Sequence, residues 1–228
     1  MSFQFEQGEI ILVNKPYRWT SFDVVNFVRK YIKSQPGLKK IKVGHAGTLD
    51  PLATGLLILC TGKMTKQIEQ FKEFDKEYTG SFTIGATTPS FDLETETDQV
   101  FPFEYVTEED ILAAAKELSG NYEQLPPAFS AVKIKGVRAY EHARKGREVT
   151  IQPKQVSIPE FEITGIRLPV ISFRIVCSKG TYIRAIARDF GEKLRCGAYL
   201  SSLCRTRIGI YQLKDAYEPE DLRKSIQA

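Results

Sequence analysis

The sequence predicts an α+β fold: a mixed, largely antiparallel sheet flanked by helices. Strand-like and helix-like segments interleave along the chain, but without the regular strand–helix rhythm of a doubly wound parallel sheet. The 228 residues contain no repeat, no low-complexity tract and no obvious linker. We therefore expect a single domain over residues 1–228, with a small insert around residues 85–150.

The predicted strands are short segments that are either apolar throughout or alternate between apolar and polar residues. The first is β-branched and ends at Lys15-Pro16, and the turn of a later strand pair is expected near Leu168-Pro169. In chain order we predict strands at Glu9–Val13, Leu56–Cys60, Tyr78–Ile84, Phe129–Ile134, Gln155–Ile166, Val170–Cys177 and Arg207–Leu213.

The predicted helices begin at residues whose side-chain oxygens can cap a helix. Thr20 precedes Val24, Phe27, Val28 and Tyr31 at helical spacing, and Thr107 begins a helix that runs through Leu118. Thr181 is predicted to cap a third helix. Its apolar positions are Ile183, Ile186, Ala187, Phe190 and Leu194. Short helices are predicted at Arg138–Lys145 and at the C-terminus, and residues 86–105 are predicted to form a loop.

The composition is that of an ordinary globular protein, with 26% charged and 42% hydrophobic residues. A net charge of +4 is compatible with a polyanionic partner, and equally with a mildly basic protein that has none. The N-terminal residues lack a basic stretch followed by an apolar core, and no apolar run reaches membrane length. We therefore expect a cytoplasmic protein.

The cysteines give no sign of a metal centre. No C-x-x-C pair is present, and His45 and His142 are the two histidines, so the sequence predicts no zinc site. We expect the four cysteines to be reduced and mostly buried as small apolar residues: Cys60, Cys177, Cys196 and Cys204.

A glycine-rich stretch over residues 44–55, GHAGTLDPLATG, lies between two apolar segments. Asp50 precedes Pro51, which favours an extended or turn conformation that projects the carboxylate from the loop. Loops on a rigid scaffold often carry catalytic groups. Asp-Pro is also common in plain turns, and a lone histidine such as His45 is usually structural. The local pattern therefore leaves both roles open.

A second stretch, residues 177–184, leads from a strand into a helix, whose N-terminus can attract an anion. Arg184, Arg188 and Arg195 follow at spacings of four and seven, which predicts one helix face opposite the apolar stripe. Such a face is usually solvated. Arg205 and Arg207 make the region rich in guanidinium groups of the kind that bind phosphate.

Aromatic residues also lie close to cations in the sequence. Examples are Tyr78 after Lys76, Tyr182 before Arg184, and Tyr17 before Arg18. Flat rings beside positive charge suit an unstacked base and its phosphates. For each tyrosine taken singly, a strand residue that faces a core is the more common explanation.

Residues 43–55, VGHAGTLDPLATG, resemble the long signature of the TruB family of tRNA pseudouridine synthases, the bacterial T-loop enzymes. Further segments resemble other motifs of that family, in family order across nearly the whole chain: Lys15-Pro16 with Thr20-Ser21, Asp75–Tyr78, Pro126–Lys133 with Gly136 and Ala139-Tyr140, Ser178–Arg184, and Leu203–Arg207 with Gly209.

The resemblance implies the pseudouridine synthase fold and a cofactor-free isomerisation of uridine 55 in the T-loop of tRNA. Asp50 would be the catalytic carboxylate. It would either attack C1′ of the ribose or take the C2′ proton, and the sequence leaves both routes open. Arg184 would pair with Asp50, keeping its pKa low and fixing its direction.

The same resemblance implies residues that bind a flipped-out uridine. Tyr78 would stack on the uracil and could remove its C5 proton, while Tyr182 and Leu203 would line the pocket. His45 would fill the space that the base leaves in the RNA loop. Lys66 would contact a phosphate.

Some features depart from the family pattern. Arg18 stands where glycine is usual, so the turn after Lys15-Pro16 is expected to differ, and residues 87–94 keep Asp92 but change its surroundings. The chain stops soon after the last motif, so the C-terminal RNA-binding (PUA) domain of many relatives is expected to be absent. The implied partner is the T-arm of tRNA. We expect a monomer with no obligate protein partner and no membrane contact.

Three other functions would fit parts of this sequence. The chain could be the catalytic subunit of a guide-RNA-directed particle, although such subunits usually carry the C-terminal domain. It could be a catalytically idle RNA chaperone, which intact Asp50, Tyr78 and Arg184 argue against. A glycosidase would need a second carboxylate opposite Asp50, and no motif supplies one.

Overall fold

The computed structural model describes residues 3–127, 129 and 151–227, together with the backbone of residues 133–134 and 137–138. The chain forms two compact units: unit 1 comprises Met1–Tyr78 and Leu203–Ala228, and unit 2 comprises Thr79–Ser202. The single domain with an insert around residues 85–150 stays a prediction. The helix predicted at Arg138–Lys145 and most of the motif over residues 126–140 lie outside the described residues.

Five α-helices and two 3₁₀ segments, Gly62–Gln67 and Leu213–Asp215, are found in the described part of the chain. The α-helices are α1 (Ser21–Lys33), α2 (Ile68–Glu73), α3 (Glu108–Glu117), α4 (Ile183–Lys193) and α5 (Pro219–Gln227). The strands are β1 (Ile10–Lys15), β2 (Val43–His45), β3 (Thr54–Thr61), β4 (Lys76–Ile84), β5 (Ala86–Thr87), β6 (Gln99–Val100), β7 (Gly120–Gln124), β8 (Lys133–Ile134), β9 (Val137–Arg138), β10 (Lys154–Ile158), β11 (Glu160–Arg167), β12 (Val170–Cys177), β13 (Ala198–Ile208) and β14 (Tyr211–Gln212).

The main sheet has the strand order β1-β3-β13-β4-β12-β11, with β2 paired to β3 and β14 paired to β13. The β1–β3, β2–β3, β11–β12 and β13–β14 pairs are antiparallel, whereas β13 and β3 are parallel. Three small antiparallel pairs, β7–β10, β5–β6 and β8–β9, accompany it. The prediction of a mixed, largely antiparallel sheet with flanking helices is confirmed.

In unit 1, β3 is buried on both faces, which explains its uninterrupted apolar sequence. Leu57 and Leu59 face a cluster that includes α1 and α5, whereas Leu56 and Ile58 face a second cluster that includes Phe71. Strand β3, which begins four residues after Asp50, is therefore fixed by packing from both sides.

The capping predictions for α1 and α3 are confirmed. Thr20 Oγ1 accepts a hydrogen bond from Asp23 N at 3.0 Å, and Asp23 Oδ2 accepts one from Thr20 N at 2.8 Å. Thr107 and Asp110 form the same reciprocal pair at the start of α3. Each pair satisfies two backbone or side-chain groups at a helix end that would otherwise lack partners.

In unit 2, α4 packs its predicted apolar face inward: all five apolar positions named above are buried. Phe190 contacts Phe82, which stacks on Phe173 with ring centroids 4.3 Å apart. The predicted cap is wrong by one residue, because Tyr182 is the N-cap. The Thr181 hydroxyl instead donates to the carbonyl of Ser178, at 3.0 Å, within the preceding turn.

Two other predicted boundaries are wrong. The last long strand is β13, which ends at Ile208, rather than a strand over Arg207–Leu213. The serines and arginines of β13 make its sequence too polar for a predicted strand. In the fold, distant partners satisfy these polar side chains. Residues 86–105 contain the short β5–β6 pair as well as loop.

Three of the four cysteines are buried and Cys204 is partly exposed, all as free thiols, which confirms the prediction that most are buried. Burial raises the pKa of the Cys60 thiol to about 11. In the part of the chain that the structure describes, no helix is long and apolar enough to cross a bilayer.

Candidate active site

Asp50 lies in the segment that joins β2 to β3, here called the Asp50 loop (residues 46–53). The residue before Asp50 is held by α1: Leu49 N donates to the buried Ser21 Oγ at 2.8 Å, and that hydroxyl lies 3.2 Å from Leu49 O. The residue after it is held by the turn that follows β1, because Arg18 N donates to Pro51 O at 2.8 Å. The backbone on both sides of Asp50 is therefore fixed.

Lys15, the last residue of β1, lies fully buried beneath this loop. Its ammonium donates to the carbonyls of Pro16, Trp19 and Pro51 at 2.9, 2.5 and 3.2 Å. Burial lowers the pKa of Lys15 to about 8, although the nearby Asp50 carboxylate partly offsets this effect. Lys15 belongs to a family motif, but no local sequence pattern indicated that it binds the backbone beside Asp50.

Arg205, on β13, holds the two ends of the same region. Arg205 is 1% exposed, and its guanidinium donates from Nε to Leu56 O at 2.8 Å and from Nη2 to Gly47 O at 3.2 Å. The interpretation of Arg205 as a phosphate-binding group is therefore wrong. A Cβ at Gly55 would lie 2.3 Å from Arg205 O, so this close approach of β3 and β13 requires glycine.

The turn between β1 and α1 contains Arg18 with a φ of +67°, in the left-handed region that favours glycine. The family glycine that Arg18 replaces would adopt this conformation without strain. The sequence led us to expect a different turn, and the backbone found here is instead one that glycine could also form.

His45 ends β2, directly before the Asp50 loop. Its side chain is partly exposed, and Nδ1 is buried. Burial lowers the pKa of His45; a hydrogen bond with the Gly47 backbone offsets part of this, and the positive charge of Arg205 adds to the lowering. The imidazole is therefore neutral near pH 7 and presents an uncharged ring beside the loop.

Three other predicted residues belong to unit 1. Tyr78 is a buried residue of β4, and Lys66 is exposed in the 3₁₀ segment that follows β3. Leu203 lies on β13, and its carbonyl accepts a hydrogen bond from Thr54 Oγ1 at 3.3 Å. Leu203 is thereby held against the first residue of β3, four positions after Asp50.

Unit 2 holds Arg184 in a buried network. Its side chain is 5% exposed, and Nε lies 3.4 Å from Oδ2 of Asp92, whose own side chain is 6% exposed. Nη1 donates to Ser90 O at 3.2 Å and Nη2 to Phe129 O at 3.0 Å. An arginine face of this kind is usually solvated, but here these partners replace water around the charge of Arg184.

Asp92 is a functional candidate that the sequence indicated only as a retained residue in an altered loop. Its Oδ1 accepts a hydrogen bond from Glu94 N at 2.9 Å, and its carbonyl accepts one from Thr88 Oγ1 at 2.7 Å. The carboxylate is therefore fixed in a direction that suits Arg184.

Tyr182 is fixed at the start of α4 by Gln124, which is fully buried. Tyr182 N donates to Gln124 Oε1 at 2.8 Å, and Gln124 Nε2 donates to Tyr182 O at 3.2 Å. The Lys154 ammonium lies 4.5 Å from the centre of the tyrosine ring, within the range of a cation–π contact. No local sequence signal pointed to Gln124 or Lys154, which are 58 and 28 residues away.

Within unit 1 the structure brings Lys15 and Arg205 to the Asp50 loop, directly after His45, and within unit 2 it brings Arg184 together with Asp92. The pairing of Asp50 with Arg184 stays a prediction. No group of three or more His, Cys, Asp or Glu side chains is arranged to hold a metal ion in the described ranges.

Comparison with known proteins identifies close relatives. A model of the "TruB family pseudouridylate synthase (N terminal domain)" matches residues 33–183. The tRNA pseudouridine synthase B of Flavobacterium johnsoniae is 52% identical over 225 residues, covering 98% of each chain. That of Bacteroides thetaiotaomicron is 53% identical over 226 residues, covering 97% of this chain and 94% of the relative.

Solved structures agree with these relatives. A chain of a Cbf5-Nop10-Gar1 complex superimposes with a TM-score of 0.73 and 27% identity, over 96% of this chain and 54% of the other. This protein thus spans about half the length of that solved chain. Because half of the residues are shared with relatives over nearly the whole length, and the family model covers most of the described core, the protein belongs to the TruB family of pseudouridylate synthases.

Proposed function

We propose that this protein isomerises uridine to pseudouridine at position 55 in the T-loop of tRNA, with Asp50 as the catalytic carboxylate. The observation that carries the proposal is the Asp50 loop, whose backbone is bound on both sides of Asp50 by buried polar groups. Catalysis gains most from reacting groups that are held in place before the substrate binds. The near full-length similarity to proteins named tRNA pseudouridine synthase B supports tRNA as the substrate.

The reaction breaks the C1′–N1 bond, turns the uracil and rejoins it through C5. In one route the ionised Asp50 attacks C1′ while the bonding pair leaves with N1; C5 then attacks C1′ and displaces the carboxylate. In the other route Asp50 takes the C2′ proton as N1 leaves, and returns it when the C5–C1′ bond forms. Either route ends with loss of the C5 proton, and both require an anionic carboxylate.

Arg184 is the proposed partner of Asp50, as the family resemblance implies. A guanidinium stays charged at any physiological pH, so it would stabilise the carboxylate as an anion. Asp92 and the carbonyls of Ser90 and Phe129 fix the orientation of this guanidinium in unit 2. Asp92 would therefore act through Arg184 as a positioning residue.

The remaining residues would bind a uridine that has left the RNA stack. Tyr78 would stack on the uracil, Tyr182 and Leu203 would line the pocket, and the neutral His45 ring would occupy the vacated space. The exposed Lys66 would contact a phosphate. The proposal includes action in the cytoplasm as a monomer, without an obligate protein partner.

The test is tritium release from unmodified tRNA that carries uridine labelled at C5, with the protein alone. We expect release by the wild type, and loss of at least a thousandfold in rate in Asp50→Asn, because an amide cannot supply the anion. Asp215→Asn, a matched change at an exposed carboxylate of unit 1, should keep full activity.

Activity of Asp50→Asn within tenfold of the wild type would overturn the assignment of Asp50. A wild-type protein that releases tritium only when a guide RNA is added would instead indicate a subunit of a guide-directed particle. A folded wild type that binds tRNA without any release would indicate an RNA chaperone.

A further inference from the structure

One segment of this protein carries basic residues without any acidic ones. Between Asp23 and Asp50 the chain contains no acidic residue, whereas it contains six basic ones, all within residues 29–42. These six are Arg29, Lys30, Lys33, Lys39, Lys40 and Lys42. The whole chain has a net charge of +4, so the rest of the protein sums to 4 − 6 = −2. This basic segment (residues 29–42) therefore contributes six positive charges with no acidic residue to offset them.

The fold turns these charges outward. The five lysines are exposed, and none forms an ion pair with a carboxylate among the described residues. Leu38 and Ile41 pack against the core cluster of α1 and β3, which anchors the backbone between the lysines. Unneutralised cations on an anchored backbone create a lasting positive potential, which attracts a polyanion.

The basic segment leads directly into the candidate active site. Lys42 precedes β2, which ends at His45, and the Asp50 loop begins at the next residue. Arg29 ties α1 to β2, because its Nη2 donates to Val43 O at 3.0 Å. The lysines on α1 and those before β2 are thereby fixed to the strand from which the loop extends.

We propose that the basic segment binds the phosphate backbone of the RNA substrate next to the nucleotide that reaches Asp50. This inference rests on the proposed function. RNA is favoured over other anionic partners because the segment is continuous with a loop that we assign to uridine chemistry. Lysine ammonium groups would contact phosphates whatever the nucleotide sequence of the RNA.

The test compares two triple variants that remove the same charge. Lys39→Gln/Lys40→Gln/Lys42→Gln alters the basic segment. Lys116→Gln/Lys214→Gln/Lys224→Gln removes three exposed lysines elsewhere and also leaves a net charge of +1. The Kd for unmodified tRNA is measured by filter binding between 50 and 200 mM salt, and circular dichroism checks that both variants are folded.

Each phosphate contact contributes about 0.7–0.9 to the slope of log Kd against log salt. If all three lysines make contacts, the first variant should lose roughly 2 from the slope and bind tRNA about 100-fold more weakly near 0.1 M salt. The control triple should stay within about threefold of the wild type. Replacement of the same three lysines by arginine should restore the slope, because the charge returns.

Equal Kd values and equal slopes for the two triples would overturn the inference, since total charge would then explain the loss. Tritium release by the wild type is measured in parallel. A wild type without activity would refute the proposed function, while the difference in Kd between the two triples would still decide whether the basic segment binds RNA.

Discussion

Lys15 offers a pH-dependent test of how the Asp50 loop is held. In the unfolded chain this lysine titrates near 10.5, whereas burial lowers its pKa in the folded protein to about 8. Between these values the unfolded chain binds more protons than the folded one, so stability rises with pH across this window. Below about pH 8 the side chain is protonated in both states and contributes no pH dependence.

The size of the effect follows from the two pKa values. Their difference, 10.5 − 8, corresponds to about 3 kcal/mol at roughly 1.4 kcal/mol per unit. The fully buried position of Lys15 means that solvent screening does not reduce this figure much. The free energy of unfolding of the wild type should therefore rise by about 3 kcal/mol between pH 7.5 and 10.5 because of this one group.

The measurement is urea unfolding at several pH values for the wild type and Lys15→Met, which keeps the length of the side chain without its charge. Other groups titrate in the same range. The raised pKa of Cys60, for example, makes stability fall between about pH 9 and 11, but it is common to both proteins and cancels in their difference. Between pH 7.5 and 10.5 we expect the free energy of unfolding of the wild type to rise by about 3 kcal/mol relative to that of Lys15→Met.

If the free energies of unfolding of the two proteins run parallel with pH, within about 0.5 kcal/mol, the reasoning is refuted. Lys15 would then have the same pKa in the folded and unfolded states. Lys214→Met, at an exposed position of unit 1, serves as the control and should run parallel to the wild type. Lys15→Met should also lose tRNA-modifying activity at pH 7.5, because Pro51 O loses a donor and the Asp50 loop can shift.

Substitutions at two other residues of unit 1 give further tests. Tyr78→Phe should keep tRNA affinity but slow tritium release if the hydroxyl removes the C5 proton. Tyr78→Ala should also lose the roughly 1–3 kcal/mol of base stacking. Equal rates of tritium release for Tyr78→Phe and the wild type would leave Tyr78 with a stacking role alone. Arg18→Gly should raise the free energy of unfolding by up to about 1 kcal/mol, because relief of roughly 1–2 kcal/mol of left-handed strain exceeds the roughly 0.5–1 kcal/mol entropy cost of glycine. A lower free energy of unfolding would show that the Arg18 side chain, 5.6 Å from the Tyr17 ring, contributes more than its backbone costs.

The candidate site depends on charged groups that are buried to hold backbone in place. Lys15 and Arg205 act on the Asp50 loop, and each donates to carbonyls rather than to a carboxylate. A buried cation without partners would be costly, so these hydrogen bonds fix the loop in the one arrangement that satisfies the cation. The loop is therefore positioned by polar groups rather than by apolar packing alone.

Local patterns in the sequence were sufficient for part of this description. The capping pairs at Thr20 and Thr107 and the apolar face of α4 depend on residues three or four positions apart, so the sequence could predict them. The long signature around Asp50 likewise identified the family and the candidate catalytic loop, because its residues are contiguous.

The tertiary structure alone decided which charges are buried and what they hold. Arg205 and Leu56 are 149 residues apart, and Arg184 and Ser90 are 94 apart, so no local pattern could pair them. From the sequence alone, arginines are expected to lie in solvent, where their hydration is strongest. Only the folded chain brings enough carbonyl and carboxylate oxygens around a guanidinium to replace that water, and this is why Arg184 and Arg205 are buried.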